Sequence, residues 1–193
     1  MLGDNFSDRF RITILDFPGF GFSEEPGDAW NIKDYADMLE EFINELDIKK
    51  PIIMGHSFGG RVAIRYSAEH VVEKIVLFGS PCVRVDTELP LSVKILKGIK
   101  KLPGMDKIGE FAKNFIGSRD YKAASPIMRQ TLVNVVNEDL SKYAKEIDCP
   151  TLLIWGENDD EAPVSDAKIL EGIMVDAALI VLPGTHYAYI ENL

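Results

Sequence analysis

Pro51-Ile52-Ile53-Met54-Gly55-His56-Ser57-Phe58-Gly59-Gly60 is the stretch on which the fold turns. A short apolar run leads into Gly-x-Ser-x-Gly, and a helical pattern opens behind it, from Arg61 to about His70. A serine at the tip of a tight strand-to-helix turn is held at strained backbone angles. Side chains two residues to either side are expected to clash, which accounts for Gly55 and Gly59. The helix start also aims main-chain N–H groups at any negative charge developing beside the serine. The plainer reading is a glycine-rich turn that uses Ser57 only as a helix cap.

Working outward, the same alternation repeats on both sides. Arg11-Ile-Thr-Ile-Leu15 is a β-branched run that predicts a strand. Asp16-Phe-Pro-Gly-Phe-Gly-Phe-Ser23 behind it is a loop punctuated by Pro and Gly. Ile32, Tyr35, Ala36, Leu39, Phe42, Ile43 and Leu46 share one helical face, with Asn31 as N-cap and Asp34 in the first turn. Lys74–Phe78, Thr151–Trp155 and Ala178–Leu182 predict further strands, and Ser165–Met174 a further helix. Strands that are apolar throughout, alternating with helices, mean an α/β fold. Its sheet is mostly parallel, with helices on both faces.

The middle of the chain breaks this rhythm. Leu91–Leu102 has amphipathic spacing and ends at Pro103-Gly104, and shorter helical patterns follow at Glu110–Ile116 and Pro126–Asn137. Between Arg84 and Lys145 there are 12 Lys+Arg against 7 Asp+Glu, a net of +5, while the rest of the chain has 9 against 24, a net of −15. The expected organisation is a core of residues 1–83 and 146–193 with a helical cap inserted at 84–145. Lys94, Lys97, Lys100 and Lys101 interleave with Leu and Ile, a pattern that also fits a membrane-surface lid at Leu91–Leu102. A cap helix with its apolar face on a pocket is the preferred reading, because the acidic remainder would repel anionic lipid.

Composition narrows the function classes. The chain has 193 residues, 46% of them hydrophobic and 27% charged, with a formal net charge of −10. That is enough to bury a core without staples. An acidic chain is a poor holder of nucleic-acid phosphates, so no nucleic acid is expected as partner, and a membrane is not expected either. Cys82 and Cys149 match no metal or redox spacing, and a reduced, cytoplasmic setting follows as the expectation. The oligomeric state is not legible.

Ser57 needs a base to be a nucleophile. Of the three histidines, His56 adjoins Ser57 on a turn where neighbours point apart, His70 ends a helix, and His186 lies in a loop past the last strand. His186 is the candidate base. Its tautomer must be fixed by an acid, and Asp159 follows the Thr151–Trp155 strand within Gly156-Glu-Asn-Asp159-Asp160-Glu161. Asp160 is the reserve and Glu157 the weaker alternative; the rest of this cluster reads as a solvated loop.

Together these residues resemble the α/β-hydrolase fold superfamily, in its branch of capped serine hydrolases. Asp16–Ser23 resembles the loop after that family's fourth strand, and Gly55–Gly60 its nucleophile elbow. Gly156–Asp159 with Pro163 resembles its acid turn, and Gly184-Thr-His186 with Glu191 its histidine loop. The resemblance implies Ser57 as nucleophile, His186 as base, Asp159 as orienting acid and the Phe58 N–H as one oxyanion donor. It implies a small-molecule acyl substrate (an ester, thioester or lactone) and no cofactor or metal. Carbon–carbon hydrolases, hydroxynitrile lyases and perhydrolase-like relatives share the serine.

The chain departs from that family in one region. The family begins with about three more strands and a His-Gly loop that carries a second oxyanion donor, and no His-Gly pair precedes Ser57. A strand usually lying between Arg11–Leu15 and Pro51–Met54 has no counterpart, and the sequence stops before the family's final helix. An N-terminally incomplete hydrolase is therefore expected, shortened at the C-terminus too. Loss of one oxyanion donor costs ~10²–10³ in turnover, so an impaired enzyme or ligand-binding module is the competing expectation.

Overall fold

The computed structural model describes residues 6–84 and 124–192. The expected helices at Leu91–Leu102 and Glu110–Ile116, with most of the expected cap, lie outside them. The described chain runs α1 (Ile32–Glu45), β1 (Ile52–His56), α2 (Phe58–Ser67), β2 (Lys74–Phe78), α3 (Pro126–Asn137), α4 (Ser141–Ala144), β3 (Thr151–Gly156), α5 (Val164–Ile173), β4 (Ala177–Leu182) and α6 (Ala188–Glu191).

The four strands form one parallel sheet in the order β1-β2-β3-β4. Parallel neighbours need crossover segments, and the helices supply them. Register places one row of side chains, Ile53, Ile75, Leu77, Leu153 and Trp155, against the helices, in a core with Val62, Ile64, Leu140 and Leu170. The row on the opposite face is less covered: Met54 and Ile180 are exposed.

Local chemistry explains the boundaries. Asn31 accepts from the N–H groups of Lys33 and Asp34 while the Asp34 carboxylate accepts from the Asn31 N–H, which closes a capping box at α1. Ser125 caps α3 by accepting from the Met128 N–H, and Pro126 fills the first helical position, where its missing N–H costs nothing. Val135, Leu140 and Ala144, from the described end of the expected cap, pack into the same core as the sheet.

One expected element is absent. Arg11–Leu15 forms no strand; it lies outside the sheet without regular structure, with Ile12 and Ile14 exposed. β-Branched residues favour extended backbone, but a strand exists only where a neighbour completes the ladder. β1 is the sheet's edge among the described residues, and nothing bridges it to this run. The segment is anchored further on. Phe17 and Phe20 pack against the Phe58 ring at 5.8 and 4.8 Å, and the Tyr35 hydroxyl donates to the Pro18 carbonyl at 3.0 Å.

Among the described residues no helix is long and apolar enough to cross a membrane.

Candidate active site

All four strands deliver their C-terminal ends to one edge, where open α/β sheets build their sites. Ser57 follows β1, Gly79 follows β2, Asp159 lies three residues past β3, and His186 lies four past β4. Inter-strand hydrogen bonds carry this alignment beyond the strands: the Ser57 N–H donates to Phe78 O at 3.0 Å, the Gly79 N–H to Ile154 O at 3.1 Å, and the Glu157 N–H to Leu182 O at 2.9 Å.

Ser57 sits at φ 50°, ψ −113°, left-handed backbone that L-residues adopt only under constraint. It is half-buried, and its side chain does not cap α2. The Ser57 carbonyl accepts from the N–H groups of Gly60 and Arg61. Phe58, the first residue of the helix, has a main-chain N–H with no acceptor among the described residues. The strained turn thus presents a hydroxyl and a free N–H together. The plainer reading of Ser57 as a helix cap fails on the missing cap hydrogen bond.

The glycine argument holds for one half of the motif. A Cβ on Gly55 would lie 2.6 Å from the main chain of Gly59 and Gly60, so the strand and helix can meet only at a glycine. A Cβ on Gly59 would meet nothing within 4 Å. The expected clash at Gly59 is absent because its position faces open space.

Asp159 and His186 form a buried pair. The His186 Nδ1 donates to Asp159 Oδ2 at 2.9 Å; the imidazole is 6% exposed and the carboxylate fully enclosed. The other carboxylate oxygen, Oδ1, accepts from the N–H groups of Glu161 and Ala162 at 2.9 and 2.7 Å. Gly79, at φ +45°, backs the pair: a Cβ there would stand 2.9 Å from Asp159 Oδ2 and 3.0 Å from His186 Nδ1. Asp160 and Glu157 point to solvent.

The histidine loop is tied down from α6. Glu191 accepts from the Thr185 N–H and hydroxyl at 2.8 and 2.6 Å, and these bonds hold its carboxyl below the ordinary range. A second tie comes from the elbow. His56 Nε2 lies 3.0 Å from the His186 carbonyl oxygen, and the two rings are 4.5 Å apart. Burial, then the neighbouring His186, lowers the His56 pKa. The His56 ring thus turns onto the His186 loop.

Glu161 is the residue that sequence reasoning missed. Its Oε2 lies 3.7 Å from His186 Nε2, the nitrogen that Asp159 leaves free. Within the acidic cluster it looked like ordinary solvated charge, and only the fold reveals its neighbour. No hydrogen bond joins the Ser57 hydroxyl to His186 among the described residues. His70 stands apart, between the Tyr66 carbonyl and Glu40. No cluster of three or more His, Cys, Asp or Glu that could hold a metal ion occurs among the described residues.

Residues 2–107 match the family model for the alpha/beta hydrolase fold. The chain belongs to the α/β-hydrolase fold family. Among curated α/β-hydrolase relatives, the AB hydrolase superfamily protein YisY of Bacillus subtilis is 27% identical over 95% of this chain and 77% of its own length. A 2-hydroxy-6-oxononadienedioate/2-hydroxy-6-oxononatrienedioate hydrolase of Pseudomonas sp. is 25% identical over 98% of this chain and 75% of its own. A solved esterase of Exiguobacterium antarcticum superposes with a TM-score of 0.68 at 21% identity, covering 91% of this chain and 74% of that one, which is a likeness of fold. The chain thus spans about three quarters of each relative.

Proposed function

We propose that this α/β-hydrolase is a serine hydrolase that cleaves a small carboxylic ester, thioester or lactone through Ser57, His186 and Asp159. The observation that carries the reading is the enclosed 2.9 Å bond between His186 Nδ1 and Asp159 Oδ2, held on the sheet edge where the strained Ser57 turn also stands. With Nδ1 committed, Nε2 is the nitrogen available for a proton.

In acylation the Ser57 oxygen bonds the carbonyl carbon as its proton passes to His186 Nε2. The carbonyl electron pair moves onto oxygen, where the Phe58 N–H donates to it. Collapse expels the alcohol, thiol or lactone oxygen, which takes the proton from Nε2, and an acyl-serine remains. Water then attacks, gives a proton to Nε2, and releases the carboxylic acid as Ser57 recovers its hydrogen. Asp159 fixes the tautomer and stabilises the imidazolium.

A second reading is hydrolysis of a carbon–carbon bond with the same three side chains; the name of the Pseudomonas relative favours it. A fluorophosphonate probe followed by a substrate panel separates the readings. An adduct at Ser57 that is lost in Ser57→Ala, with turnover of short acyl esters, is the expected result. An adduct with turnover only of dienone substrates favours the second reading, and the lack of any Ser57 adduct overturns both in favour of a silent binding module.

A further inference from the structure

We infer that Glu161 sets the charge preference of this site, so that acyl substrates that are uncharged or cationic near the scissile bond are taken in preference to anionic ones. The inference rests on the hydrolase reading above and adds to it the class of substrate.

Two placements support it. Glu161 Oε2 is 3.7 Å from His186 Nε2, too far for a hydrogen bond but close enough for its charge to act wherever a reacting acyl group meets that nitrogen. Its main chain is also held from behind, because the Glu161 N–H donates to Asp159 Oδ1 at 2.9 Å. The carboxylate that orients the base therefore also holds the backbone from which the second carboxylate extends.

Among the described residues no Lys or Arg side chain pairs with this carboxylate. Among the described residues, His186 is the one basic side chain within 4.0 Å of Glu161. The Glu161 side chain is 53% exposed, so solvent tempers its field. For a fixed substrate charge at about 7 Å, a half-screened carboxylate accounts for roughly threefold to tenfold discrimination.

The test uses three size-matched phosphonate probes, with a neutral, a trimethylammonium and a carboxylate side chain, and reads the rate of adduct formation at Ser57. In the wild type the carboxylate probe is expected to label slowest. In Glu161→Gln its rate relative to the neutral probe rises roughly threefold to tenfold at low salt. Raising the ionic strength to 0.5 M shrinks the wild-type difference, as screening requires. Glu161→Asp keeps the charge and keeps the preference. Labelling by all three probes with an unchanged ratio in Glu161→Gln overturns the inference and leaves the hydrolase reading intact. Labelling by none overturns the hydrolase reading itself.

Discussion

His56 Nε2 donates to the main-chain carbonyl of His186 at 3.0 Å, across 130 residues of sequence. A carbonyl oxygen can only accept, so this nitrogen carries the proton. The residue before the candidate nucleophile thus holds the backbone of the candidate base, and the elbow and the histidine loop are fastened to each other. His56→Ala is expected to slow phosphonate labelling of Ser57 by about 10-fold to 100-fold, since small misplacements of reacting groups are costly. His56→Gln, which retains an N–H donor, recovers part of the rate. Equal labelling by the alanine variant and the wild type would show that the bond positions nothing.

The same imidazole predicts a pH effect on stability. Its pKa in the folded chain is lowered, first by burial and then by His186. The unfolded chain therefore holds more protons just below its ordinary value of about 6.5. The stability that comes from keeping His56 neutral is fully present above that value and is lost as the pH falls through the folded pKa. Urea midpoints at pH 7.5 and 5.5 check this: the drop between them is smaller in His56→Gln than in the wild type.

Asp159 uses both carboxylate oxygens, one on the His186 Nδ1 and one on two main-chain N–H groups. An asparagine has one acceptor for these two duties and must turn its NH₂ toward a donor. Asp159→Asn is expected to lower kcat by about 10⁴ where the side chain serves as orienting acid. Asp160 is exposed, and Asp160→Asn leaves kcat within about twofold, the range of ordinary surface changes. Ester turnover by the two purified variants decides between them, and the reverse ranking would transfer the role to Asp160.

How much of this was legible depended on how local each determinant is. The helical stripe from Ile32 to Leu46 and the Asn31–Asp34 box are set within a few residues, and α1 starts where they indicate. The β2 strand, Lys74–Phe78, matches its apolar run at both ends. The order of strand ends placed Asp159 beside His186 because a parallel sheet delivers every such end to one edge. Arg11–Leu15 misled because propensity is local and strand pairing is not. Glu161 and His56 acquire their neighbours only when chain segments 25 and 130 residues away arrive.

The two glycines of the elbow make opposite predictions. Gly55→Ala drives a methyl into main chain at 2.6 Å, where no side chain can yield, and is expected to cost about 1–3 kcal/mol. Gly59→Ala meets nothing within 4 Å and lies in α2, so it is neutral or stabilising by roughly 0.5 kcal/mol. Thermal melts of both variants test the pair. Equal destabilisation would mean that the space beside Gly59 is filled in solution.

Arg61 poses the sharpest question about stability. Its guanidinium is 3% exposed and has no carboxylate partner among the described residues. It donates instead to three carbonyls: Pro81 past β2, Val135 in the last turn of α3 at 2.6 Å, and Glu138 just after it. Burial lowers its pKa, which is the direction expected when a cation is desolvated without a full counter-charge. Two effects compete in Arg61→Met. Removing a buried cation is favourable, but it strands three acceptors, two of them carbonyls at a helix end with no partner of their own. At roughly 1–3 kcal/mol for each stranded group, the acceptors win, and a net loss of about 2–4 kcal/mol is expected. Arg61→Lys keeps the charge but not the fork, so it reaches fewer carbonyls and falls between. Urea unfolding of the three proteins reads this directly. An Arg61→Met variant as stable as the wild type would mean that desolvating the cation outweighs the three bonds it makes.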